Sequence, residues 1–223
     1  MDRSLIEVRV RKFILSMDYQ KLIYLDENDR RVWRLIQSNL YQTDETLRWH
    51  AIEAVAAFMR RWWDNNRQEK VLDYMRRLMW TINDESGGIG WSTPQTIAEI
   101  VVAIPQVGEP FINNMINRTF NEPFLRKSGL WAIGRLGQRV KQSIEIRQDD
   151  ILPSSNTYDP ETLGLAAWAV GEIGLKSALP YLKFLQDRKE MVRIYIPPNF
   201  HNKQVKSWYR LAIKNICQNI DIA

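Results

Sequence analysis

The sequence predicts an all-α protein, an α-α superhelix built from paired helices. Three observations lead there. First, Leu125-Arg-Lys-Ser-Gly-Leu-Trp-Ala-Ile-Gly-Arg-Leu-Gly137 is echoed by Leu163-Gly-Leu-Ala-Ala-Trp-Ala-Val-Gly-Glu-Ile-Gly174. Second, three more segments fall into register once Gly134 and Gly171 are taken as the reference position. Ala56, Ala98 and Lys214 then stand in the same place, each preceded, as the glycines are, by a branched apolar residue: Val55, Ile97, Ile133, Val170 and Ile213. The five reference positions lie 42, 36, 37 and 43 residues apart, a period that belongs to solenoids of stacked helix pairs. Third, apolar and small positions inside each segment return every three or four residues, the period of a helix and not of a strand.

With 223 residues, the chain is read as one repeat array over 1–223, which needs no separate core. Apolar residues make up 45% and there are nine tryptophans, so disorder is excluded. No apolar run approaches the roughly 20 residues of a bilayer span. The N-terminus is broken by Asp2, Arg3, Glu7, Arg9, Arg11 and Lys12 and lacks a signal-peptide core. A cytoplasmic protein without membrane attachment is expected. Cys217 is the single cysteine, which excludes an intrachain disulfide or a thiolate cluster; a buried, inert thiol is expected.

The elements follow in order. Residues 1–41 fall outside the register: 5–15 mix periods, 22–25 are a short apolar run, and 28–40 read as a helix with Val32, Leu35, Ile36 and Leu40 on one face. This is the N-terminal cap that covers the open end of a stack. About five units then occupy 43–220. Thr43 or Asp44 caps a helix over 43–63, and 67–82 is its partner. Three glycines in 87–90 break the chain. Ser92, Pro94 and Gln95 then restart it as N-cap, first-turn proline and capping-box glutamine. The next pair runs 111–120 and 123–137, 140–152 is weakly helical, and 153–160 is a run of turn formers. Tyr158 or Asp159 opens the following helix, 177–186 pairs with it, and 205–220 closes the array. Between these, Val192-Arg-Ile-Tyr-Ile196 alternates and Pro197-Pro-Asn-Phe-His-Asn202 turns. That pattern gives a small β-hairpin or an extended insertion near 192–204, with a long ordered loop as the alternative.

The pattern Leu-Arg-x-x-(Ala or Gly)-x-x-Ala-(Ile or Val)-Gly-x-(Leu or Ile)-Gly, as at 125–137, resembles the HEAT-like repeats of phycobilisome lyases, within the wider HEAT/armadillo class. Asp44 with Leu47-Arg48 fits the usual repeat start, Leu125-Arg126 fits without the Asp, and Asp159 with Leu163 lacks the Arg. Together with Asp84-Glu-Ser-Gly-Gly-Ile-Gly-Trp91, the chain is also similar to a group of uncharacterised bacterial HEAT-repeat proteins. The resemblance implies a binding scaffold for a protein partner and no particular activity. Its alternatives are a nucleic-acid module, such as the base-excising HEAT glycosylases that use Trp and a carboxylate in a basic cleft, and a tetrapyrrole chaperone.

The formal charge is +5 and is spread thinly, whereas a nucleic-acid footprint gathers on one face. The one cluster is Arg60-Arg61-Trp62-Trp63 with Arg67, Lys70, Arg76 and Arg77. No metal site and no cofactor are expected: His50 and His201 fall on distant repeats, without ligand spacing. A catalytic triad has too few histidines. The glycine loop with Asp84, Glu85 and Trp91 is the first place to look for binding. As a phosphate cradle it lacks the P-loop lysine, and Asp84 and Glu85 repel an anion. Of the tryptophans, Trp131 and Trp168 share one register position and should pack the stack. Trp62, Trp63, Trp80 and Trp91 sit near helix ends or in the glycine loop, where core packing is the default reading and an exposed ring would instead anchor a partner. Finally, the position after the reference is Glu99, Arg135 and Glu172 in three successive repeats. Equivalent helices stack about 10 Å apart, so a ladder of opposite charges is expected there.

Overall fold

The computed structural model describes residues 3–83, 90–109, 111–152, 159–184 and 187–218. It is mostly helical, with one two-stranded antiparallel sheet among the described residues. The chain divides into two units, Met1–Phe111 and Ile112–Ala223.

In the first unit, α1 (Arg3–Leu15), α2 (Tyr19–Asn28) and α3 (Arg31–Asn39) precede the long α4 (Glu45–Asp64). The stretch with mixed periods is thus a helix. Ile6, Val10 and Ile14 recur every fourth residue and are fully buried, while Leu5, Val8 and Leu15 stay exposed and blur the period. Asp44 accepts a bond from the Leu47 amide and caps α4, leaving Leu47, Ala51, Val55, Phe58 and Met59 on the buried side. α1, α2, α3, α5 (Gln68–Asn83) and α6 (Thr93–Ala103) all pack against α4. Its C-terminus closes in a Schellman turn. Asn66 takes a left-handed φ of 57°, and the Asn66 and Arg67 amides return to the Trp63 and Trp62 carbonyls, which satisfies groups the helix end leaves free.

α6 departs from the expected capping box. Ser92 holds the N-cap position, but its hydroxyl donates to the Leu40 carbonyl 2.8 Å away and makes no cap bond. Gln95 Oε1 is buried and finds no partner among the described residues. A long-range bond to the end of α3 replaces the local one. The break at 84–89 lies outside the described residues, as does the turn-forming run 153–158.

The second unit is organised around α11 (Pro160–Ile173), which follows α7 (Phe111–Asn121), α8 (Arg126–Leu136) and the short α9 (Lys141–Glu145) and α10 (Gln148–Ile151). Asp159 caps α11 by accepting from the Glu161 and Thr162 amides. After α12 (Leu179–Phe184) come β1 (Met191–Ile196), β2 (Asn199–Gln204) and α13 (Val205–Gln218). α11 lies between α8 and α13, and the reference glycines make that closeness possible. A Cβ on Gly134 would meet the Trp168 ring at 2.7 Å and Ala169 Cα at 3.1 Å, and one on Gly171 would meet Ala212 Cα at 2.8 Å. In both contacts the reference residue of one helix touches the residue two before the reference of the next.

Of the three expectations for 192–204, the hairpin is what forms, with Ile196 opposite Asn199 and Met191 opposite Gln204. Val192 and Ile194 are buried, and a Cβ on Gly164 of α11 would strike Val192. Trp131 and Trp168 are buried with ring centroids 6.1 Å apart, and the Trp131 indole donates to the Tyr195 carbonyl. Cys217 corrects the expectation of a buried thiol: it is exposed on the last turn of α13, one position past the buried Ile216 and so turned off the packed face.

Candidate functional site

A cleft of about 790 Å³ opens in the first unit, lined by parts of α2, α3, α4 and α5. The chain builds it locally. Asp29 accepts from the Arg31 amide and guanidinium, which hold its carboxyl down to about 2, while Asp26 accepts from the Trp33 amide at 3.0 Å. Two carboxylates thus satisfy first-turn amides of α3 and fix Trp33 over the cleft. The Schellman turn after α4 brings Arg67 and Lys70 back beside Trp62.

Trp33 is the centre of an aromatic floor. Its ring lies 5.5 Å from Phe58, 4.8 Å from Trp62 and 5.3 Å from Tyr74, the last two edge-on, arrangements that ring quadrupoles favour. Burial pushes the Tyr74 hydroxyl above the usual range, against its bond to Gln37. Lys70 Nζ stands 3.3 Å over the Trp62 ring, a cation–π contact. Arg30, Arg61 and Arg67 complete the cationic rim, and Glu27 answers Arg61 at 3.4 Å. Asp26 is half-buried; desolvation raises its pKa, against the Trp33 amide bond and the charge of Lys70. Lys70 is lowered by desolvation and then by Arg67, with Asp26 opposing. Both groups are thus pushed toward neutrality across one cleft, as at functional sites. The arrangement suits a guest with a flat or apolar face for the tryptophans and an anionic group for the rim.

The basic cluster read from the sequence divides here. Arg61, Trp62, Arg67 and Lys70 line the cleft. Trp62 is only 6% exposed, so it forms floor and core at once. Arg60 points elsewhere, bridging Asp64 at 2.9 Å and donating to the Ala103 carbonyl. Trp63 is half-buried outside the lining, and Arg76 pairs with Glu69 and Asp73. Asp84 and Glu85 lie outside the described residues. Trp91 is 80% exposed and Trp80 70% exposed, and neither lines the cleft. Sequence reasoning missed Asp26, Arg30 and Trp33, which sit in the region taken as a cap. The available clue was Trp33, a large aromatic at the flank of the apolar stripe of its helix, three residues before Ile36 and seven before Leu40.

In the expected charge ladder, Glu99 is buried in the first unit, and Arg135 and Glu172 belong to the second. Glu172 is half-buried and raised by desolvation, against its bond from Trp168. It also accepts from Asn215 Nδ2 at 3.4 Å, and residue 215 holds the same register position on α13.

No family model matches the chain. An uncharacterised protein of Archaeoglobus fulgidus is 31% identical over 104 residues, 47% of this chain and 53% of that protein. The chain therefore spans about half the length of the curated relative it matches. No helix among the described residues is long and apolar enough to cross a membrane.

Proposed function

We propose that the chain is a HEAT-like repeat scaffold, an α-α superhelix, and that the cleft between Trp33 and Lys70 receives an acidic segment of a protein partner carrying an aromatic or apolar side chain. The superhelix reading is supported by the repeated register contact, Gly134 on Ala169 and Gly171 on Ala212. The cleft carries the binding reading: an aromatic floor with four cations, Arg30, Arg61, Arg67 and Lys70, against two carboxylates, Asp26 and Glu27. A guest carboxylate meets Arg67 and Lys70, which have no ion pair among the described residues, while an aromatic ring stacks on Trp33.

The test is a titration with an acetylated, amidated Glu-Glu-Phe-Glu-Glu peptide, followed by tryptophan fluorescence. Its Lys-Lys-Phe-Lys-Lys counterpart and single-stranded oligo-dT serve as comparisons. The expected result is saturable quenching by the acidic peptide alone, weakened about tenfold or more in Arg67→Glu/Lys70→Glu, since charges at an interface act on affinity and selectivity together. Selective binding of oligo-dT, lost in the same variant, would replace this reading with the nucleic-acid one.

A further inference from the structure

The hairpin of the second unit has two unlike edges. Val205 N–H donates to the Glu190 carbonyl at the hairpin's base, and antiparallel pairs alternate between bonded and non-bonded. Val192–Lys203, Ile194–His201 and Ile196–Asn199 are therefore the bonded pairs, and Tyr195, Phe200, Asn202 and Gln204 turn their backbone groups outward. On β1 the outward Tyr195 carbonyl is taken by the Trp131 indole. On β2 no further strand pairs with the outward groups of Phe200 and Asn202 among the described residues, whose sheet ends there, while the Gln204 carbonyl, at the N-cap of α13, accepts the first bond of that helix.

Beside this open edge runs a groove of about 730 Å³, lined by Met191, Asn202 and Gln204 of the hairpin's outer face, by Lys203, and by Ser207, Arg210, Leu211 and Lys214 of α13. Its apolar part is Met191, 56% exposed, with half-buried Leu211. Its charge is of one sign. Lys203, Arg210 and Lys214 make no ion pair among the described residues, and no carboxylate lines the groove. An exposed edge is usually blunted by charge; here Lys203 is the one charge among the groove-lining residues of β2, while Arg210 and Lys214 stand on α13.

We infer that β2 and this groove form a docking site for an extended acidic segment of a partner protein, which adds a third strand to the hairpin. Main-chain bonds to Phe200 and Asn202 supply the register. Alternate side chains enter the groove, apolar ones against Met191 and Leu211 and carboxylates against Arg210 and Lys214. The site is independent of the cleft in the first unit, and substitutions in either leave the other intact.

The test uses a fluorescein-labelled peptide of alternating Glu and Val, its analogue N-methylated along one edge, and labelled oligo-dT, followed by anisotropy. Binding of the Glu-Val peptide is expected to weaken about tenfold or more with N-methylation, which removes strand pairing but no charge. Arg210→Glu/Lys214→Glu should weaken it similarly, as should Asn202→Pro, which removes an outward N–H without breaking a β1–β2 bond. Arg67→Glu/Lys70→Glu should leave it unchanged. Equal binding of the peptide and its N-methylated analogue to the wild-type protein, no binding of either, or tighter binding of oligo-dT that falls in Arg210→Glu/Lys214→Glu would each overturn the inference.

Discussion

Asp26 does two things that oppose each other: it holds the Trp33 amide, which favours its charged form, and it is half-buried, which disfavours that form more. Its folded pKa therefore lies above its unfolded value, near 3.9 for an ordinary aspartate. Between the two values the native state keeps a proton that the unfolded state has released, so this group's contribution to stability falls as pH rises through that window. Asn keeps an acceptor for Trp33 and carries no charge. Asp26→Asn is expected to flatten the pH profile above 3.9 in urea unfolding and to be no less stable than the parent at pH 7. A clear loss of stability at pH 7 would show instead that attraction to Lys70 outweighs the cost of burial. None of this was legible from the sequence. Asp26 precedes Trp33 by seven residues, across a turn that sets their contact, and no spacing rule marks the pair.

Helices were legible where small residues recur. Gly134 and Gly171 set the reference of the register, and each lies where a Cβ would strike the next helix. Gly171→Ala presses on the Ala212 backbone, which cannot rotate away, and should cost about 1–3 kcal/mol of stability by overpacking, measured by chemical denaturation. Caps were legible when the partner is local. Asp44→Ala and Asp159→Ala should each cost about 1 kcal/mol. Ser92 had the right position and the wrong partner: its hydroxyl crosses to the Leu40 carbonyl, a choice made by packing between elements. α1 was not legible, because its exposed Leu5, Val8 and Leu15 mask the buried Ile6, Val10 and Ile14. The hairpin was, since β1 alternates as a half-buried strand does.

At the scale of the whole chain, the register runs from Ala56 to Lys214 while the residues divide into units on either side of Phe111. Each unit has its own buried centre: Leu47, Val55 and Phe58 with α6 in the first, Trp131, Trp168 and Trp208 around α11 in the second. Hydrogen exchange should therefore respond locally. Gly171→Ala is expected to speed exchange in α8, α11 and α13 while α4 and α6 keep their protection, and uniform acceleration along the chain would show one cooperative block. The repeat arithmetic pointed to the 84–91 loop for function because the register is most disturbed there. Residues 84–89 of that loop lie outside the described ones; the cleft is a separate feature, where the register meets residues that do not share it, since its lining needs α3 as well as α4 and α5. Net charge was equally uninformative. An excess of +5 conceals a mixed cleft in one unit and a groove of one sign in the other.

The exposed Cys217 has a practical consequence. As the single thiol of the chain, it can be labelled by a maleimide dye without engineering a cysteine-free background. It follows Arg210 and Lys214 at intervals of four and three residues on α13, which places all three along one side of the helix. A fluorophore there would sit at the far end of the groove and register its occupation by a change in emission, while remaining remote in sequence from the cleft. The wild-type protein thus carries its own attachment point for separating the two proposed sites in a single titration.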